Sequence, residues 1–192
     1  MLRSRIIPCL LIHKGGLVKT TKFKDPKYVG DPLNAVRIFN EKQVDEIFIA
    51  DIDATVLNKD PDYKLIEKLA EECRMPLCYG GGIKSLEQIE RIISLGVEKI
   101  SLSYSAINNP DLISEASQHV GSQSIVVVID TMKKGWSGHY MVFTHNGSKN
   151  TGLKTFDFVK NIEKLGAGEI ILNSIERDGS MLGYDFELID AV

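Results

Sequence analysis

The chain has no long apolar stretch, little cysteine and no excess of positive charge. No hydrophobic run approaches the ~20 residues of a membrane-spanning helix, and the apolar segment 6–12 is too short for a signal-peptide core. The three cysteines are odd in number, and neither they nor the four scattered histidines have metal-ligand spacing. A formal charge of −3 argues against nucleic-acid binding. We therefore expect a cytoplasmic protein with reduced thiols, no metal and no membrane or nucleic-acid contact.

What the chain does contain is a regular alternation of short apolar runs and helical patterns. A length of 192 residues with 43% hydrophobic content predicts one domain, 1–192. The patterns predict strands at 6–12, 46–51, 76–79, 99–104, 123–130 and 169–173, with helices beginning near Pro32, Pro61, Ser85, Asn109, Phe156 and Tyr184. Such alternation indicates an α/β fold with a parallel sheet. Between turns at Gly135 and Asn146-Gly147, alternating residues predict a small hairpin insertion, 131–147.

An internal repeat favours a barrel over an open sheet. Segment 46–53 resembles 169–176, and segment 9–12 matches 128–131, so strands one and two repeat as strands five and six. A four-unit repeat predicts a TIM-type (βα)8 barrel, which typically needs ~250 residues. We therefore expect an incomplete barrel of about six βα units that lacks its C-terminal part. The alternative is that the likeness between these apolar strands is due to chance, in which case the fold would be an open sheet.

Carboxylates follow several predicted strands, at the end where barrel enzymes place catalytic groups. Asp130 ends the fifth strand, whereas Leu11 occupies the matching place on the first. An aliphatic side chain cannot transfer a proton, so one of two possible acid/base groups is retained. Asp51 and Asp178 also follow strands, although a turn or cap is the alternative role for any single Asp.

Glycines and polar residues after the strands indicate a phosphate site. Gly81 and Gly82 follow the third strand, and glycine lets backbone N–H groups approach a phosphate closely. A tight strand-to-helix turn is the alternative. No Walker loop or complete dinucleotide fingerprint is present, so we expect no cofactor. Further donors to a phosphate would be Ser103, Asn173, Ser180 and Lys19, the last in the loop after strand one.

A second set of charges lies at the opposite ends of the predicted strands. Each of four residues precedes or begins a strand: Arg5, Glu46, Lys99 and Glu169. Directed inward, two positive and two negative groups would form a neutral ring at the bottom of a barrel. Scattered surface charges of little energetic value are the alternative.

Motifs along the whole chain complete the pattern. They are RIIPCL (5–10), GDP (30–32), YGGGI (79–83), AINNP (106–110), GSQS (121–124), NTG (150–152), GAGE (166–169) and RDG (177–179). In this order they resemble the cyclase subunit of imidazole glycerol phosphate synthase. The resemblance implies a βα barrel of two similar halves, in a heterodimer with a glutaminase subunit at the bottom. Ammonia would pass the four-charge ring and attack a bisphosphorylated ribulosyl-formimino carboxamide ribotide, which is cyclised and cleaved in histidine biosynthesis.

The resemblance also assigns roles to individual residues. Asp130 matches the second of two acid/base aspartates, and Lys19 matches a loop lysine near the substrate. Asp51 and Asp178 match polar positions of the top face, and Gly81-Gly82 matches one phosphate site. The four charged residues at the other strand ends match the ammonia gate.

The chain departs from the family pattern mainly on the reaction face. Leu11 replaces the strand-one aspartate, Ser103 and Tyr104 stand where Asn and Thr are usual, and Asn173 replaces a usual Thr. Three functions stay open. They are a cyclase-type lyase, a non-cyclising glutaminase activator that supplies ammonia for sugar amidination in surface-polysaccharide synthesis, and a related phosphosugar isomerase. Leu11 counts against the first and third, and the charge ring counts against the third.

Overall fold

The structure is a computed structural model that describes residues 3–134 and 138–192. The predicted turn at Gly135 lies outside these residues. The chain divides into two compact units. Unit 1 comprises the chain up to Lys19 together with Lys27–Ser101, and unit 2 comprises Thr20–Pro26 together with Leu102–Val192. No helix in the described ranges is long and apolar enough to cross a membrane.

Strands and helices alternate along the chain as predicted. The strands are β1 (Cys9–His13), β2 (Gly16–Thr21), β3 (Lys24–Gly30), β4 (Ile47–Asp51), β5 (Leu77–Gly80), β6 (Lys99–Leu102), β7 (Ile125–Lys134), β8 (His139–Thr144), β9 (Lys149–Lys154) and β10 (Glu169–Ser174). The helices are α1 (Pro32–Lys42), α2 (Tyr63–Glu72), α3 (Leu86–Ser94), α4 (Tyr104–Asn108), α5 (Asp111–Val120), α6 (Thr155–Lys164) and α7 (Phe186–Ala191), with a 3₁₀ turn at Ser122–Ser124. Within the described residues this makes six strand–helix units.

Side-chain caps set where the first three helices begin. Asp31, Asp62 and Ser85 accept hydrogen bonds from the backbone N–H group of the third residue of α1, α2 and α3. Such caps satisfy donors that have no partner within the helix. The predicted start of α2 at Pro61 is therefore slightly early, because Asp62 is the capping residue.

Unit 1 is organised around parallel strands buried on both faces. β1 pairs with β4, β4 with β5 and β5 with β6, in a register that places Ile12 beside Asp51 and Ala50 beside Gly80. Most side chains of β4, β5 and β6 are buried, including Ile47, Ile49, Leu77 and Ile100, whereas only Ile12 is buried on β1. Continuous apolar runs are typical of such doubly covered strands, and the shared direction brings all their C-terminal ends to one edge.

Two local predictions for this region are wrong. Lys19 lies in β2, not in a loop, because Lys14 and Gly15 adopt positive φ angles of 50° and 79° and turn the chain back along β1. Two-residue turns of that hand join adjacent antiparallel strands. The strand predicted at 99–104 ends at Leu102, and Tyr104 already begins α4.

Unit 2 is built on β7. Its apolar half, Ile125–Ile129, is buried and runs parallel to β10. Its C-terminal half continues to Lys134 and pairs antiparallel with β8, which in turn pairs with β9. The antiparallel strands after Asp130 thus extend to Lys154.

The two halves of the chain contain the same order of elements, which confirms the internal repeat. β1, β2, β3, α1 and β4 in chain order correspond to β7, β8, β9, α6 and β10. The strand registers also agree, because Leu11 pairs with Ala50 and the equivalent Asp130 pairs with Asn173. Positions 11 and 130 are therefore structurally equivalent, as the sequence repeat predicted.

Candidate functional site

Asp130 sits where the parallel part of β7 gives way to the antiparallel part. Asn173 Nδ2 donates a hydrogen bond of 3.0 Å to Asp130 Oδ1 from the neighbouring β10. Burial raises the pKa of Asp130 to about 6, the bond from Asn173 opposes that rise, and the nearby charge of Asp178 adds to it. A carboxyl group with this pKa exists in both protonation states near neutral pH, which suits acid/base chemistry.

The equivalent place in unit 1 offers no such chemistry. Leu11 lies beside Ala50, where unit 2 has Asp130 beside Asn173. Neither side chain can exchange a proton or donate a hydrogen bond. The two halves of the repeat have therefore diverged at the position that barrel enzymes use for catalysis.

Asp51 organises the turn that follows β4. Its Oδ1 accepts hydrogen bonds from the backbone N–H groups of Asp53 (2.9 Å) and Ala54 (3.1 Å). Burial raises the pKa of Asp51, and these two bonds hold part of that rise back. Asp51 therefore has the turn-stabilising role that the sequence analysis gave as its alternative. Binding of a substrate by Asp51 stays a prediction.

Gly81 and Gly82 pack directly against the Asp51 turn. Their φ angles are 135° and 71°, which favour glycine. A Cβ atom at Gly81 would lie 2.7 Å from the Cβ and the carbonyl oxygen of Asp51, and one at Gly82 would lie 2.6 Å from the carbonyl oxygen of Lys59. Close packing alone therefore requires glycine at both positions, and phosphate binding by their N–H groups remains a prediction.

The loop after β10 contains two more predicted site residues. Asp178 Oδ2 accepts a 3.1 Å hydrogen bond from the Thr20 hydroxyl, and its carbonyl oxygen accepts one of 2.9 Å from Lys22 N–H. The Ser180 hydroxyl donates to the carbonyl oxygen of Arg177 at 2.7 Å. Both residues thus stabilise the loop and the tip of the β2–β3 hairpin.

Two predicted residues make no contact, within the described part of the chain, that defines a role. Lys19 is exposed on β2. Ser103 precedes α4, and its hydroxyl does not cap that helix. Their part in binding a substrate stays a prediction.

Three of the four predicted gate residues form one cluster in unit 1, here called the basal cluster: Arg5, Glu46 and Lys99. Glu46 Oε2 accepts hydrogen bonds from Arg5 Nη1 at 2.8 Å and from Lys99 Nζ at 2.7 Å. Glu46 is only 3% exposed, so these two side chains replace the water that would otherwise solvate its carboxylate. The fourth residue, Glu169, belongs to unit 2, where it begins β10 in register with Val126.

The basal cluster and the Asp51 turn lie at opposite ends of the same strand. β4 runs from Ile47, directly after Glu46, to Asp51. Five residues of extended chain span about 15 Å. Unit 1 therefore has a charged end and a glycine- and aspartate-containing end, as the sequence predicted.

A pair that the sequence analysis did not single out lies beside the Asp51 turn. His13 Nδ1 is 2.7 Å from Asp53 Oδ1, and Lys14 N–H donates to Asp53 Oδ2 at 2.8 Å. Burial favours a higher pKa for Asp53, but the hydrogen bonds from Lys14 and His13 outweigh it, so this pKa lies below its ordinary value. Spacing along the strands could have pointed to this pair. His13 lies two residues after Leu11, and Asp53 lies two residues after Asp51, so each follows a position already singled out.

Together these features define a class of protein. The chain is an α/β protein of the βα-barrel type, with a buried carboxyl group of raised pKa at one strand and a paired charge cluster before others. In residues 3–134 and 138–192, no group of three or more His, Cys, Asp or Glu side chains could hold a metal ion.

Comparison with known proteins identifies the family. The chain belongs to the histidine biosynthesis protein family, whose pattern matches residues 5–192. It is 59% identical to "Putative imidazole glycerol phosphate synthase subunit HisF" of Leptospira borgpetersenii, over 100% of this chain and 76% of that protein. It is 57% identical to subunit hisF3 of Vibrio vulnificus (98% of this chain, 73% of that protein) and 52% identical to subunit hisF2 of Pseudomonas aeruginosa (100% and 76%), both with the same putative naming. The predicted family is thereby confirmed.

Proposed function

We propose that this chain is the ammonia-accepting, cyclase-type subunit of a glutamine-dependent synthase of the imidazole glycerol phosphate synthase kind. A glutaminase subunit would form a heterodimer with it and release ammonia at the basal cluster. The ammonia would react with a bisphosphorylated ribulosyl-formimino carboxamide ribotide, giving imidazole glycerol phosphate and a carboxamide ribotide. The basal cluster is the observation that carries this proposal.

The charges of the basal cluster suit the passage of a small neutral molecule. Glu46 is buried between two cations, and an isolated buried carboxylate would be strongly unfavourable. With Glu169 as a fourth member, the set would contain two positive and two negative charges. Such a set offers donors and acceptors to ammonia without a net field that attracts ions.

The acid/base chemistry would belong to Asp130. Its pKa of about 6 lets it release and accept a proton near neutral pH. The phosphorylated substrate would be held at the C-terminal ends of the strands. The contributing groups would be the N–H groups of Gly81 and Gly82 and the side chains of Lys19, Asp51, Ser103, Asn173, Asp178 and Ser180.

Leu11 favours a second candidate function. Because one of the two proton-transfer positions is aliphatic, the chain could activate a glutaminase and conduct ammonia without cyclising the ribotide. The ammonia would then serve another acceptor, such as a sugar that is amidinated during surface-polysaccharide synthesis. Both candidates share the ammonia entrance and differ in the acceptor.

The shared part is tested by charge reversal in the basal cluster. Co-expression with a HisF-partner glutaminase should give a complex in which glutamine hydrolysis is activated. Lys99→Glu would place a second carboxylate beside Glu46, so we expect activation to fall by at least about tenfold. Leu11→Ala, at the other end of the strands, is the control and should leave activation unchanged. Absence of a complex, or equal behaviour of the two variants, would contradict the proposal.

The two candidates are separated by turnover with free ammonia. Loss of one general acid or base typically costs ~10²–10⁴-fold in rate, so we expect the ribotide to be converted at a rate reduced by about that factor. Leu11→Asp should raise this rate if the chain is a cyclase, and Leu11→Asn, with a similar shape but no acid, should not. Turnover at the uncatalysed background rate in wild type, Leu11→Asp and Leu11→Asn alike would favour the non-cyclising function. A rate typical of enzymes with both aspartates, with Leu11 in place, would show that the first strand needs no carboxylate.

A further inference from the structure

His13 lies on the same side of β1 as Leu11 and closer to the C-terminal end of the strand. Side chains two residues apart on a strand point to the same face, and His13 is the last residue of β1. The imidazole is therefore about 7 Å further along the face that has lost its acid/base group. The side chain of His13 is 26% exposed, so a ligand can reach it.

The Asp53 carboxylate orients the imidazole. Oδ1 of Asp53 lies 2.7 Å from His13 Nδ1, and its Oδ2 is held by the N–H group of Lys14. Asp53 is positioned in turn by the Asp51 turn, which binds its backbone N–H group. A carboxylate at Nδ1 selects the tautomer with the proton on Nδ1, so Nε2 is the nitrogen that exchanges a proton. Within the described residues, Nε2 has no hydrogen-bond partner.

The repeat provides an internal comparison for this pair. The positions equivalent to His13 and Asp53 in unit 2 hold Met132 and Glu176. Unit 2 therefore keeps the carboxyl group Asp130 and has no such pair, whereas unit 1 has the pair and lacks the carboxyl group. The His–Asp pair is thus present in the half of the repeat that lacks the carboxyl group at the strand-one position.

We propose that His13, oriented by Asp53, is the proton acceptor of unit 1 for a phosphorylated sugar ligand bound at Gly81-Gly82. When ammonia adds to an electrophilic carbon, a C–N bond forms and the π electron pair moves to the heteroatom. The resulting ammonium nitrogen must lose one proton, which the lone pair of His13 Nε2 takes up. The carboxylate of Asp53 then stabilises the imidazolium. This assignment rests on the proposed use of ammonia.

The packing of the turn places the pair next to the predicted phosphate site. Gly81 approaches Asp51 so closely that a Cβ atom would clash, and Gly82 likewise approaches Ala54. Asp53 lies between these two residues in the turn. A ligand whose phosphate contacts the N–H groups of the glycines would therefore have its sugar within reach of His13.

The test measures the tautomer and the accessibility of Nε2 in the full chain. Long-range ¹H–¹⁵N NMR should show His13 with its proton on Nδ1, and Asp53→Asn should shift that balance. Diethyl pyrocarbonate should acylate His13 at Nε2, and peptide mass spectrometry measures the rate of this acylation. Ribose 5-phosphate at ten times its dissociation constant should slow this acylation about tenfold by mass action. His139, which is exposed on β8, is the internal control and should keep its rate.

Each outcome bears on the proposal. Protection of His13 but not His139, with the Nδ1–H tautomer, supports it. A proton on Nε2, or acylation of His13 that the sugar phosphate does not slow, overturns it. The glutaminase assay with Lys99→Glu tests ammonia delivery and does not depend on His13. The NMR and acylation experiments test His13 alone, so the two proposals can fail independently.

Discussion

Asp130 is kept at a position that disfavours its charged form. Burial raises its pKa from 3.8 to about 6, although Asn173 donates a hydrogen bond to it. In the unfolded chain the same carboxyl group would ionise near pH 4. The folded state therefore binds more protons than the unfolded state between these two values, and ionised Asp130 lowers stability above them. Such a cost is typical of groups retained for chemistry.

We expect Asp130→Asn to stabilise the protein at pH 8. A shift of two pKa units corresponds to a gain on the order of 2–3 kcal/mol in the free energy of unfolding. The gain should shrink as the pH falls from 6 to 4, because wild-type Asp130 becomes protonated there. Urea unfolding at several pH values measures both effects. A gain that does not depend on pH would contradict the raised pKa.

At the scale of elements, the turn after β4 connects several parts of the candidate site. Asp51 holds the N–H groups of Asp53 and Ala54, Asp53 holds His13, and Gly81 packs against Asp51. One carboxylate therefore fixes the backbone on which a second carboxylate is placed. Hydrogen bonds inside the turn therefore position the side chains at this edge.

We expect Asp51→Ala to lower the free energy of unfolding by about 1–3 kcal/mol, because two partly buried N–H groups lose their acceptor. Asp51→Asn keeps an acceptor oxygen and removes a buried charge, so its stability should stay within about 1 kcal/mol of wild type. Urea denaturation of the three proteins measures the difference. Equal destabilisation by both substitutions would show that charge, and not hydrogen bonding, matters at this turn.

At the scale of the whole chain, the segment around α7 exposes unusually large apolar side chains. Met181, Leu182, Tyr184 and Phe186 are between 67% and 95% exposed. In the described residues, the preceding strand β10 has β7 as its one strand neighbour. Contiguous apolar surface and an open strand edge both favour association between molecules.

We therefore expect the 192-residue polypeptide to self-associate in a concentration-dependent manner, which analytical ultracentrifugation measures. Replacing Met181, Leu182 and Phe186 together by Ser should reduce the association. Ile38→Thr, which changes one exposed apolar residue of α1, is the control and should not. A wild-type chain that stays monomeric up to high concentration would show that this surface is not adhesive.

Much of the fold and part of the site were predictable because they depend on short-range patterns. Apolar runs and capping residues such as Asp31 and Ser85 predicted strands and helix starts. The repeat predicted that Leu11 and Asp130 are equivalent. The β1–β2 hairpin was missed because its turn contains Lys14-Gly15 and not one of the usual turn pairs.

The amino-acid sequence by itself determined the alternation of strands and helices, the family, and the loss of a carboxyl group at position 11, since each follows from residue type and order. Only the tertiary structure decided which charges meet. Glu46 lies between Arg5 and Lys99, residues 41 and 53 positions away, and His13 meets Asp53 across 40 positions. Contacts at that separation are set by strand register and turn geometry, because the energy of an ion pair depends on a distance that the order of residues does not contain.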